Sequence, residues 1–161
     1  DEWMDEEYSS YFDGIDIGLS NDGNNISIGG SVWEDSSPII RVLTRQDSGN
    51  WTLSRNALDT GSFDVFVVAS MAISGDAEIV AVGASAHSDT KHYQGGLFVS
   101  SMFDTNSSWG TLGSVLGRNA KDHLGARVRI CNDGTLAAGS SRKGYVSFFK
   151  TARTAANISH A

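Results

Sequence analysis

Along this chain short apolar runs alternate with short polar stretches, and none shows the recurrence at three and four residues that marks an amphipathic helix. Residues 67–74 (VVASMAIS), 78–85 (EIVAVGAS), 95–103 (GGLFVSSMF) and 108–113 (SWGTLG) read as four successive strands. Gly75–Asp76 separates the first two. It is a dipeptide that tolerates positive φ, and it predicts a two-residue hairpin turn. The same order of turn, apolar run, polar loop and second apolar run begins at Asp22–Gly23 and again at Asp133–Gly134.

The spacing makes this an internal repeat. Gly29, Gly83 and Gly139, each closing an apolar run, are 54 and 56 residues apart. Asp22, Asp76 and Asp133 are 54 and 57 apart, and Trp51 and Trp109 are 58 apart. These markers agree on a period of roughly 55, long enough for four short strands. A single such unit cannot bury both of its faces, whereas stacked units cover one another. The prediction is an all-β domain of about three four-stranded antiparallel units, at 14–61, 62–117 and 118–161. The last is incomplete, since no Trp follows GYVSFFK. Residues 1–13 stand before the first unit as an acidic segment with a Trp, able to serve as a donor strand. Trp51 and Trp109 read as wedges between units.

The third copy, "KDHLGARVRICNDGTLAAGSS…GYVSFF", resembles the FG-GAP-type repeat, the blade repeat of integrin-α-like β-propellers. Asp122, Leu124 and Gly125 stand where that repeat has Asp, Phe and Gly, and VAVGAS at 80–85 matches its central strand. Asp64 and Phe66 fill the first element of the second copy, with Val67 in place of Gly. The first copy keeps a trace around Phe12–Gly14. The likeness spans about residues 10–150. It implies propeller-type blades, forming a partial or open propeller or part of a larger assembled one. Such repeats occur in secreted and cell-surface proteins. Some hold calcium in a loop of alternating carboxylates; SNDGNN, SGDAE and CNDGT lack that alternation, so no metal or other cofactor is expected.

Charge sharpens the picture. The net charge is −7, but residues 1–13 hold six acids and no base, while residues 118–161 hold eight bases against Asp122 and Asp133. Overall acidity argues against a nucleic-acid partner. No apolar run is long enough to insert into a membrane. The start, DEWMDEE, reads as a processed or trimmed end. The opposite charges of the two ends, with an unfinished third unit, predict head-to-tail association between copies. Trp3, Arg127, Arg129, Arg142 and Lys143 are its candidate residues, with Trp3 and its acidic neighbours adding to the open edge of the third unit.

Little of the remaining chemistry points to catalysis. Cys131, the single cysteine, follows Ile130 in RVRIC and reads as a buried, inert thiol on a strand. His87 and His92 share a polar loop and read as surface residues rather than metal ligands. No nucleotide-binding or nucleophile-elbow motif is present. Four Asn-x-Ser/Thr sites stand out, at Asn25, Asn50, Asn106 and Asn157. Asn50 and Asn106 precede the Trp of their copies, so N-linked glycans there would decorate one side of a stack. The sequence therefore predicts a non-enzymatic, extracellular structural or adhesive module that joins copies of itself into a larger assembly or filament. The alternative is a glycan- or protein-binding propeller fragment of a cell-surface protein, with Trp33, Tyr93 and Tyr145 as its exposed aromatics.

Overall fold

The structure, a computed structural model, describes residues 12–32, 38–59, 68–102 and 109–151. Every regular element among them is a strand, so the fold is all-β. β1 (Phe12–Leu19), β2 (Asn25–Val32), β3 (Pro38–Arg45) and β4 (Trp51–Asp59) form one antiparallel sheet in chain order. β5 (Ser70–Ile73), β6 (Ile79–Ala84), β7 (Gly96–Met102) and β8 (Trp109–Leu116) form a second. β9 (Arg127–Ile130), β10 (Leu136–Ser140) and β11 (Val146–Lys150) form a third, with β9 and β11 at its edges.

The turns between the first and second strands are not two residues long. Each is a five-residue connection built on a Ser-x-Asp pattern. In the first, Ser20 donates its hydroxyl to Asp22 (2.6 Å) and accepts the Asn25 N–H (2.9 Å), while Asp22 accepts the Asn24 N–H (3.0 Å). Ser74, Asp76, Glu78 and Ile79 repeat these bonds at 2.7, 3.0 and 3.0 Å. In the third copy Cys131 takes the serine's place. Its thiol donates to Asp133 (2.8 Å) and accepts the Leu136 N–H (3.0 Å), and Asp133 accepts the Thr135 N–H (3.1 Å). Cys131 is thus a half-buried loop residue in a polar role, not a buried thiol on a strand. The fourth loop residue needs positive φ in every copy: Gly23 at 72°, Ala77 at 60° and Gly134 at 71°.

Counting from these loops corrects the glycine alignment. Gly29 and Gly83 occupy the same position of β2 and β6, but their counterpart in β10 is Ser140, and Gly139 lies one residue earlier. A shift of one residue turns a strand position to the opposite face. A Cβ on Gly29 would meet Met71 of the second sheet, and one on Gly83 would meet Gly125 and Val128 on the way into the third. A Cβ on Gly139 would instead meet Leu97, in the preceding sheet.

The sheets stack in chain order, with two apolar layers between them. Ile40 and Val42 of the first sheet pack with Met71, Ile73, Val80, Val82 and Phe98 of the second. Ala72, Ile79, Ala81, Leu97 and Val99, on the other face of the second sheet, pack with Val128 and Ala137 of the third. β6, IVAVGA, is buried along its whole length because both of its faces are covered. The first strands of neighbouring sheets are stitched by one recurrent bond. Asp16 Oδ2 accepts the Met71 N–H (2.6 Å), and Ser70 Oγ accepts the Val128 N–H (3.2 Å). Trp109 packs on the first layer as a wedge would, but Trp51, its counterpart in the first sheet, is 40% exposed, with no sheet of the described residues packed against that face.

Candidate functional site

Three features of the surface carry chemistry. The first is a polar cluster where the β6–β7, β8–β9 and β10–β11 connections meet. Asp122 is its hub. Its carboxylate accepts the Tyr145 hydroxyl (2.6 Å) and the Asn119 N–H (2.8 Å), and its carbonyl accepts the Ser141 hydroxyl (2.7 Å). The Tyr145 hydrogen bond holds the Asp122 carboxyl below the usual carboxylate range, and burial, with Asp122 next, pushes the Tyr145 phenol up. Around this hub Arg118 lies over the Tyr145 ring, 5.0 Å from its centre. Lys91 donates to the Arg118 carbonyl. The ring of Tyr93 packs against those of His92 and His123, with centres 3.9 and 5.6 Å away.

Tyr93, Lys121 and His123 all adopt positive φ, which side chains other than glycine rarely accept. The strain is held by local bonds: His123 Nδ1 meets the Ser85 carbonyl (3.0 Å), and the Lys121 N–H donates to the His92 carbonyl (2.8 Å). A carboxylate of lowered pKa that is already bonded to two donors is a poor proton acceptor at neutral pH. The bonds of the cluster run from the β8–β9 connection to the β6–β7 connection on one side and to the β10–β11 connection on the other, and so clasp the second and third sheets together. Asp122 and Leu124, the residues that carry the family resemblance, belong to it: Leu124 is fully buried, and its N–H donates to the Gln94 carbonyl (3.0 Å).

The second feature is an open cavity of about 550 Å³ where the first strands of the three sheets converge. Ile17 and Leu19 of β1, Met71 and Ile73 of β5, and Arg129 and Ile130 of β9 line it. The third is the pair of outer faces of the stack. Ile17 and Leu19 (each 61% exposed), with Leu53, stand on the outer face of the first sheet. Val146 and Phe148 (49% and 62%), with Leu136, stand on that of the third.

The residues singled out from sequence fall as follows. Arg127 and Arg129 are exposed on β9, and Arg142 and Lys143 are exposed in the turn after β10. Because Arg127 pairs with Ser140, three of these four charges share one end of the third sheet. Trp3 lies outside the described residues, as do Asn106, Asn157, Trp33, Asp64, Phe66 and Val67. Asn50 is exposed in the β3–β4 turn. Asn25 is buried, and its amide nitrogen, the atom a glycan would take, donates to the Gly75 carbonyl (2.8 Å). His87 is not a surface residue: it is buried, edge-on to Phe98 at 5.2 Å. Among the described residues no three His, Cys, Asp or Glu side chains come together as a metal site. Nor, among the described residues, is any helix long and apolar enough to cross a membrane.

No family model matches the sequence, and no curated protein is significantly similar to it. Among solved structures, a functionally unknown protein from Desulfotomaculum acetoxidans DSM 771 aligns with a TM-score of 0.45 at 10% identity, over 84% of this chain and 55% of that one. A chain of a mitotic checkpoint complex aligns with a TM-score of 0.42 at 11% identity, over 84% and 50%. The chain thus spans about half the length of either. Likenesses this distant carry no functional argument, and the FG-GAP-type resemblance rests on its motifs.

Proposed function

We propose that this chain is a non-enzymatic structural or adhesive module of propeller-blade type, built to associate with copies of itself outside the cell. The observation that carries the reading is the pair of exposed apolar outer faces, Ile17, Leu19 and Leu53 on one and Leu136, Val146 and Phe148 on the other. Contiguous apolar surface of this kind marks an interaction site. The polar clasp around Asp122 supports a structural role, because its groups are spent on holding sheets together. The extracellular and glycosylated part of the reading rests on the Asn-x-Ser/Thr sites, with Asn50 exposed to modification.

Light scattering and intact mass on material from the native source test both parts. Expected are an assembly larger than one chain and a mass above that of the bare polypeptide. A monomer at every concentration would reject self-association, and a bare mass would remove the case for glycans.

A further inference from the structure

We infer that copies join head to tail, with the outer face of the first sheet of one seated on the outer face of the third sheet of the next, so that the stack continues across the joint. This rests on the self-association proposed above and specifies its surfaces.

Counted from the Ser/Cys-x-Asp loops, Ile17, Met71 and Val128 are equivalent, as are Ile26, Val80 and Ala137. In the second and third sheets these residues form the buried face turned towards the preceding sheet. In the first sheet the same positions are apolar, and Ile17 is uncovered. The opposite face follows the same rule. Pairing to β2, β6 and β10 makes Ile40, Leu97 and Val146 equivalent, and likewise Val42, Val99 and Phe148. The first two of each set are at most 1% exposed, covered by the following sheet; Val146 and Phe148 are uncovered. The chain thus presents, at its two ends, the two halves of the interface it already makes twice internally. Two complementary faces of one chain make a heterologous contact, which runs on as a filament unless its rotation closes a ring.

One difference tunes the joint. Asp16 and Ser70 accept the N–H of the next sheet's first strand, but their counterpart in the third sheet is Arg127, which has no acceptor to offer. Arg129 likewise replaces Gly18 and Ala72. The joint at the first strand is therefore looser than the internal ones and is charged. The incoming copy supplies the matching charge. Its chain enters β1 at the Phe12 end, the end that corresponds to Arg127, and the residues before it include Asp1, Glu2, Asp5, Glu6 and Glu7. Apolar packing fixes the seat, and the acidic segment steers it towards Arg127, Arg142 and Lys143.

Sedimentation velocity on the full chain tests this with two variants at exposed positions, Ile17→Glu and Phe148→Glu, after melting curves confirm that both fold. Each alone is expected to lose association by about 30-fold or more, as for loss of an interface anchor. Mixed, they are expected to form a 1:1 dimer and nothing larger, because one contributes an intact third-sheet face and the other an intact first-sheet face. Deleting residues 1–11 from the Phe148→Glu partner should weaken that dimer and flatten its salt dependence. Wild-type assembly that survives either single substitution would overturn the inference while leaving self-association standing. So would variants that stay monomeric when mixed, or assembly that needs residues 1–11 but tolerates Ile17→Glu. A wild-type chain that never associates would overturn both.

Discussion

Gly83 and Gly125 occupy each other's side-chain space. A Cβ on Gly83 would lie 2.1 Å from the Gly125 carbonyl oxygen, and one on Gly125 would lie 2.8 Å from the Gly83 Cα and 2.2 Å from the Gly96 carbonyl oxygen. Gly125 also holds φ at 87°, in the left-handed region. Two glycines therefore set how closely the connection into the third sheet can lie against β6.

Substitution here meets backbone, which cannot swing aside. Gly125→Ala is expected to destabilise the fold by about 2–4 kcal/mol, from overpacking together with the strained φ. Gly83→Ala should cost about 1–3 kcal/mol through overpacking alone. Gly49→Ala is the control: φ is 85° there, but nothing lies within 4 Å of the added methyl, so the cost should be about 1 kcal/mol. Urea denaturation of the three variants checks the order, and a Gly125→Ala no worse than Gly49→Ala would refute the close approach.

Cys131 reproduces the hydrogen bonds of Ser20 and Ser74. Cys131→Ser should therefore leave stability within about 0.5 kcal/mol of wild type, as for a substitution that keeps its partners. Cys131→Ala strands the Leu136 N–H and should cost on the order of 1 kcal/mol, as should Ser74→Ala. Equal losses for Cys131→Ser and Cys131→Ala would mean that sulfur packing, not the loop's bonds, is what matters.

These two cases show what the sequence made legible. The loops were visible as a period because Asp22, Asp76 and Asp133 recur, and the strands were visible because their apolar runs are short. The identity of Ser20, Ser74 and Cys131 was visible in the same three-residue pattern, but reading RVRIC as unbroken alternation hid it. The one-residue displacement of Gly139 showed only as a disagreement between spacings of 56 and 57, which cannot say which marker the strand register follows. The register follows the loop, because loop bonds fix where β10 begins. Nothing local told that His87 lies against Phe98, since that contact is made across the β6–β7 connection. Nor could the outer faces be recognised, because Ile17 and Phe148 look like core until the stack shows which sheets are terminal.

Asn25 and Asn50 should behave differently as glycan acceptors. Asn25 is buried, its Nδ2 donates to Gly75 and its Oδ1 accepts the Thr44 hydroxyl (2.8 Å), so a sugar on Nδ2 would have no room beside the Gly75 carbonyl without opening the first layer. Glycopeptide mass spectrometry on native material is expected to find Asn50 modified and Asn25 bare. Glycan on Asn25 in folded protein would contradict the placement of β2. Asn25→Ala should destabilise by about 1–3 kcal/mol, because it leaves the Gly75 carbonyl and the Thr44 hydroxyl without this partner.

The Asp122–Tyr145 pair predicts a dependence of stability on pH at both ends of the scale. The folded carboxyl titrates below its ordinary value of 3.8, so between the two values the unfolded chain binds a proton that the folded chain does not. The pair's stabilisation is complete above about pH 5 and is lost as pH falls through the lowered pKa. Asp22 and Asp133, lowered chiefly by the Ser20 hydroxyl and the Cys131 thiol, add to the same acid limb. The phenol is raised from 10.0, so its contribution is present below that value and is lost as pH rises through the folded pKa. Tyr145→Phe removes the donor and the phenol together. Melting temperatures across the pH range should then show a shallower acid limb, because Asp22 and Asp133 still act, and an alkaline limb without the Tyr145 component. An acid limb unchanged by Tyr145→Phe would show that the hydrogen bond does not set the Asp122 titration, and the clasp would have to be assigned to Asn119 and Ser141 instead.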